Sequence, residues 1–236
     1  VELTAMSFAG DVSLKTIDLS KTNGVIARET FFSCKRLMTV NFAGVTVIGD
    51  YAFADCANLL NVNNTDELTY IGEGAFSRNS QTSSAPKFAT INIPNVTHIG
   101  VGAFIGCTGL EEITLPAALA GETNPSAFGK EVIDEDSENR GFRYGDNLFL
   151  GCTSLTTVNF PAGVKYIGSY AFYNCEKLTT VNNTESVTEI AEFAFAACKK
   201  LNSVDISKVK VIGEGAFASC ALSGYVNAPE LRDIDA

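Results

Sequence analysis

The seven cysteines and the single histidine are the residues of this chain with the widest choice of chemistry. Cys34, Cys56, Cys107, Cys152, Cys175, Cys198 and Cys220 could pair as disulfides or ligate a metal ion. One-to-one pairing leaves one thiol over, and no Cys-x-x-Cys pair or Cys/His cluster exists to supply the roughly four converging ligands of a structural zinc site. His98 is the sole imidazole, so any Ser-His-Asp or Cys-His constellation has to be built around it. The acids Glu131, Asp134, Glu135, Asp136 and Glu138 could surround a calcium ion, but they lack the Asp-x-Asp-x-Asp-Gly spacing that organises its ligands. The expectation is therefore no catalytic residue, no cofactor and no metal site.

The spacing of the cysteines points instead to packing. Every one stands three residues after a phenylalanine, and those phenylalanines recur along the chain. The column reads Phe8, Phe31, Phe53, Phe76, Phe104, Phe149, Phe172, Phe195 and Phe217, with gaps of 23, 22, 23, 28, 45, 23, 23 and 22 residues. The full unit is Ile-Gly-x-x-Ala-Phe-x-x-Cys-x-x-Leu-x-x-Val, clearest from Ile48 to Val62, Ile167 to Val181 and Ile190 to Val204. A cysteine fixed by such a repeat is expected to be a small buried hydrophobe with a free thiol. His98 falls just before a repeat Ile, where other units carry Val47, Tyr70, Tyr166, Glu189 and Val211. A half-exposed surface residue is the expectation there.

Counting from the Ile, apolar or small residues at 0, 4, 5, 8 and 11 follow one face of a short helix. Residues such as Val158 and Phe160 then alternate as on a strand with one buried face. Gly49, Gly72, Gly100, Gly168 and Gly213 suit a tight turn or a close backbone approach. A unit this short cannot bury its own apolar face, so neighbours must stack. The sequence predicts an α/β solenoid: right-handed, one continuous parallel inner sheet, short helices or turns outside. Nine to ten units of 22–23 residues would form a single domain over 1–236.

Two places depart from the pattern. Asn79 stands where a Cys is due and Ser80-Gln81-Thr82-Ser83-Ser84 follows, which reads as a surface loop. Residues 117–143 break the register and read as an insertion or a decayed repeat. Leu3 and Ile234 occupy the Ile column at the two ends, and neither end has the polar character of a solenoid cap. A chain cut mid-repeat from a longer protein is expected, with any targeting segment outside it.

Composition narrows the partners. A net charge of −10, from 17 Lys plus Arg against 27 Asp plus Glu, disfavours nucleic acid and anionic membranes. No apolar run approaches the roughly 20 residues of a membrane span, so direct insertion is not expected. The apolar fraction of 46% and only 6 Pro exclude a disordered or collagen-like chain.

The repeat Ile-Gly-x-x-Ala-Phe-x-x-Cys-x-x-Leu resembles the BspA-like leucine-rich repeats over nearly the whole chain outside roughly 117–143. That resemblance implies an exported protein, secreted or on the cell surface of a mucosal anaerobe, with adhesion to host matrix proteins or other microbes as its role. The motif itself is scaffold and carries over no functional residue.

What the repeat leaves variable is the outward face of the strands. One column reads Thr16, Thr39, Asn61, Thr90, Glu112, Thr157, Thr180 and Ser203; the other reads Asp18, Asn41, Asn63, Asn92, Thr114, Asn159, Asn182, Asp205 and Asn227. Both are small and hydrogen-bonding, with no aromatic or basic side chain. Asn63, Asn95 and Asn182 also match glycosylation sequons, while Asn64 and Asn183 replace apolar residues and are expected to bond a neighbouring turn's backbone. The expected ligand face combines Asn92, Thr114, Asn159 and Asn182 with Arg140 and Arg143 of the insertion. It would make the chain a monomeric module binding a protein or glycan; the alternative is a structural spacer that presents another domain.

Overall fold

The computed structural model describes residues 1–77, 87–120, 146–223 and 228–234. The chain coils into a solenoid whose strands are all parallel, with successive repeats side by side. One core cluster runs from Leu19 to Ala216. Its spine is the repeat phenylalanine: Phe31, Phe53, Phe76, Phe104, Phe149 and Phe195 are fully buried. Rings from neighbouring coils lie nearly parallel, as in Phe31–Phe53 at 5.1 Å and Phe172–Phe195 at 5.2 Å between centroids. Each such pair adds about 0.5–1.5 kcal/mol beyond the area it buries. Phe104 stacks directly on Phe149 at 5.6 Å, so the coils either side of the longest gap are neighbours.

Two ladders flank the spine in place of the single sheet expected. The first is built of three-residue strands: Thr16–Asp18, Thr39–Asn41 and Asn61–Asn63 in one stretch, and Glu112–Thr114, Thr157–Asn159 and Thr180–Asn182 in another. Residues 90–92 and 203–205, expected on this sheet, are not strand. The second is built of the dipeptide ending in the repeat Ile. It joins Val25–Ile26, Val47–Ile48, Tyr70–Ile71 and His98–Ile99, then Tyr166–Ile167, Glu189–Ile190, Val211–Ile212 and Asp233–Ile234.

The short helices are absent among the described residues, where the only helix is a 3-10 turn at Ala117–Leu119. Hydrogen bonding explains the difference. The Phe53 N–H donates to Ala75 O of the next coil at 2.8 Å, and Tyr51 and Asp55 do the same to Glu73 and Ser77. The alternate amides of Ala52, Ala54 and Cys56 bond three residues back within their own coil. An α-helix needs every N–H for its own i−4 carbonyl, and here every second one belongs to the neighbour. Two residues per unit, at the third and seventh places after the Ile, take the left-handed conformation: Tyr51 and Asp55, Tyr170 and Asn174, Phe193 and Ala197. These bracket Ala-Phe and turn the chain before a helix can propagate. The glycine after the Ile answers the close approach: a Cβ on Gly100 would lie 2.3 Å from the Glu73 nitrogen.

Two substitutions test this account by denaturant unfolding. Phe149→Ala is expected to cost about 3–5 kcal/mol. Ala197→Gly relieves a left-handed alanine (φ 61°) and is expected to stabilise by about 1 kcal/mol. Loss of stability in Ala197→Gly would show that its side chain matters more than its backbone.

Candidate functional site

The three-residue strands place their middle residue inward and the two flanking residues outward, as the alternation Thr157, Val158, Asn159 shows. In-register pairing sets Thr114 beside Asn159, and Asn159 beside Asn182. These three expected site residues are therefore contiguous. The Asn182 amide donates to Asn159 Oδ1 at 2.7 Å, and the Asn159 amide donates to Thr114 Oγ1 and Glu112 Oε1, both at 3.1 Å. A shorter series joins Asn41 to Asp18 at 2.9 Å and Asn61 to Thr39 at 3.2 Å. Asn92 is exposed in the coil before Thr114 but lies outside strand structure. Arg140 and Arg143, like the acids at 131–138, fall outside the described residues.

The substituted asparagines behave differently from one another. Asn183 donates to the Phe160 carbonyl of the preceding coil at 2.7 Å, as expected. Asn64 bonds the Asn41 side chain at 2.7 Å instead of backbone. Both residues are left-handed (φ 57° and 63°), a conformation asparagine tolerates better than most residues.

All seven cysteines are free thiols. Six are buried, while Cys220 is only half-buried because its coil lies at the edge of the core. Each thiol reaches back one coil to the repeat Phe carbonyl. Cys56 Sγ lies 3.1 Å from Phe31 O, Cys152 Sγ 3.1 Å from Phe104 O and Cys198 Sγ 3.1 Å from Phe172 O. A small apolar side chain with one weak donor suits that place. Burial pushes the Cys56, Cys107 and Cys175 thiols up, and Cys152 up to about 12. Of the neighbouring pair Cys198 and Cys220, the buried Cys198 thiol is raised and the half-buried Cys220 thiol lowered. The six buried thiols are therefore poor nucleophiles.

His98 lies half-buried on the two-residue ladder with its ring on that of Tyr70, 4.3 Å between centroids and 2° from parallel. No group of three His, Cys, Asp or Glu side chains could hold a metal ion among the described residues. No described helix is long and apolar enough to cross a membrane. What the face offers is hydrogen bonding from amides and hydroxyls.

A second set of residues went unnoticed in the sequence. The third place after the repeat Ile carries Tyr51, Tyr170 and Phe193, whose rings lie on the turns. Aromatic residues recurring at that one variable place were the signal available.

Comparison with known proteins agrees with the geometry. A family model described as the BspA type leucine rich repeat region matches residues 1–131 and 142–236 in six copies. No curated protein matches the sequence. A crystal structure of a leucine-rich repeat protein from Bacteroides ovatus is similar over 100% of this chain, with 28% identity and a TM-score of 0.76. The chain spans 57% of the length of that structure. The leucine-rich repeat protein of T. pallidum is 22% identical over 85% of this chain and 71% of its own, with a TM-score of 0.49.

The thiols give a direct check. Denatured, unreduced protein is expected to titrate seven thiols with a maleimide, while in the native protein Cys220 reacts first and the other six resist. Five or fewer after denaturation would mean a disulfide. A thiol held neutral in the fold contributes stability that is intact below its unfolded value, 9.0, and is lost as pH rises through the raised folded value, about 12 for Cys152. Thermal stability should therefore fall from about pH 9 upward, and less steeply in Cys152→Ala.

Proposed function

The chain belongs to the BspA-type leucine-rich repeat family, and from that premise we propose that it is a non-catalytic, surface-displayed interaction module with an adhesin-like role. Its ligand is a protein or a glycan, met at the outward strand face around Asn92, Thr114, Asn159 and Asn182. The supporting observation is the relay from Asn182 through Asn159 to Thr114 across three paired strands. Side chains already fixed by one another lose little further freedom when a ligand arrives, which lowers the cost of binding. The Asn182 amide, at the end of the relay, makes one such bond and keeps a second N–H for an incoming acceptor. Solenoids commonly use such extended faces for recognition.

The family likeness supports an extracellular or cell-surface location, and the acid excess supports a partner other than nucleic acid. A second reading, a spacer that presents another domain, draws on the same relay. Amides that satisfy one another also make a stable surface with no ligand.

A pull-down against host matrix proteins together with a glycan array separates the two. Binding is expected, and replacing Asn92, Thr114, Asn159 and Asn182 with Lys should weaken it tenfold or more. The melting temperature should fall only by the few degrees that lost surface hydrogen bonds imply. If no ligand is captured the spacer stands, and if the four-lysine variant binds like the parent the strand-face reading fails.

A further inference from the structure

The turn side of the solenoid carries a group of rings that neither the strand face nor the core uses. Tyr170 stacks on Phe193 of the next coil, 5.2 Å between centroids and 24° from parallel, and Tyr173 lies 5.7 Å from Tyr170. Tyr170 and Phe193 are half-buried and Tyr173 is 37% exposed. The pile is seated on Gly215: a Cβ there would lie 2.4 Å from Phe193 Cε1, so only glycine leaves room for the ring. Glu192 and Glu214, both exposed, stand one residue before Phe193 and Gly215. Burial raises the Tyr170 hydroxyl, and the charges of these two carboxylates raise it further.

Among the described residues the same arrangement occurs once more, and there it is occupied. Tyr51 has the same place in its coil, and its ring is seated on Gly74 in the same way, with Gly74's Cβ position 2.4 Å from Tyr51 Cε1. Glu73 stands before Gly74 and accepts the Tyr51 hydroxyl. Over the Tyr51 ring sits the guanidinium of Arg28, its Cζ 5.9 Å from the centroid and its Nε 2.9 Å from Glu29 Oε1. Cation, ring and carboxylate thus form one unit from three coils. The register that pairs Glu29 with Asp50 pairs Asn147 with Ser169, so the place of Arg28 is taken by Asp146 in the coil before Tyr170. No other cation lies over an aromatic ring among the described residues.

We propose that Tyr170, Tyr173 and Phe193, edged by Glu192 and Glu214, are a docking patch for a basic, arginine-bearing segment of a partner protein. An arginine from the partner would lie over the rings as Arg28 lies over Tyr51, with the carboxylates balancing its charge. Guanidinium is favoured over ammonium because its plane stacks on a ring face and it gives up its hydration more readily. The net charge of −10 draws such a segment toward the chain. This patch shares no residue with the strand face and stands whether or not that face binds anything.

The probe is hexa-arginine, titrated against the full chain by calorimetry at low and moderate salt, with hexa-lysine beside it. Hexa-arginine should bind several-fold more tightly than hexa-lysine. The charge-neutral pair Tyr170→Leu and Phe193→Leu should lower the hexa-arginine affinity by about tenfold and remove its advantage over lysine. Glu192→Gln with Glu214→Gln should weaken it by more than the charge-matched pair Glu111→Gln with Glu185→Gln. Should the double-leucine protein melt early, Tyr173→Leu, at an exposed ring, replaces it with a smaller expected loss. Three results would overturn the patch: no binding of hexa-arginine, unchanged binding in the ring variants, or equal weakening by the two glutamine pairs. Retention on a neutral glycan that depends on these rings, without peptide binding, would overturn it too.

Discussion

The backbone amide of the repeat phenylalanine donates to the next coil, and the rest of the architecture depends on that bond. Phe31, Phe53, Phe76, Phe104, Phe149, Phe172 and Phe195 all make it, at 2.8 to 3.2 Å. It fixes the coil-to-coil distance near that of paired parallel strands. At that distance the rings can only stack nearly parallel, the cysteine thiol can only reach the neighbouring Phe carbonyl, and the residue after the Ile has space for little beyond glycine. Even the break after Phe104 obeys it, since its amide finds Leu148, 44 positions further along the chain. The coils of Phe104 and Phe149 are thus bonded neighbours despite their distance in sequence.

This bond also decides how much of the fold was legible in the sequence. The Phe, Cys, Leu and Ile columns were readable because burial leaves a hydrophobic signature at constant spacing. The turns were not. Apolar residues at 0, 4, 5 and 8 match a helical face as well as they match this tight coil, and periodicity reports only which side is inward. The left-handed residues that separate the two conformations are Tyr51, Glu29, Phe193 and Ala197 as often as glycine or asparagine. None of these announces a positive φ. Each costs about 1–2 kcal/mol in isolation, and the bond to the next coil holds it there, an effect no single repeat contains.

The candidate sites were legible to the same degree, for the same reason. Thr114, Asn159 and Asn182 could be placed in one column because strand alternation is simple, and pairing puts them side by side. That their amides would bond to each other needs the lateral distance between coils. The half-burial of Cys220 was hidden because sequence position alone does not show where the core thins. Arg28 over Tyr51 joins two coils through side chains that share no spacing rule with the repeat.

Repetition supplies a kind of inference that single-copy folds lack. Each place in the coil is sampled several times in one molecule, under the same backbone constraint and with different neighbours. At the third place after the Ile, glycine fills the turn in some coils and an aromatic ring stands there in others, resting on the glycine of the coil beyond. One ring is covered by a cation from its own chain, while another pile of rings meets carboxylates and no cation among the described residues. Because the backbone is common to both, the contrast isolates the side chains. Among the described residues, the charges that act on Tyr170 are carboxylates, the sign that a guanidinium answers, and at Tyr51 the same scaffold already holds one. Within one molecule, the ring of Tyr51 with its guanidinium is thus the occupied counterpart of the Tyr170 pile, which has no cation over it among the described residues.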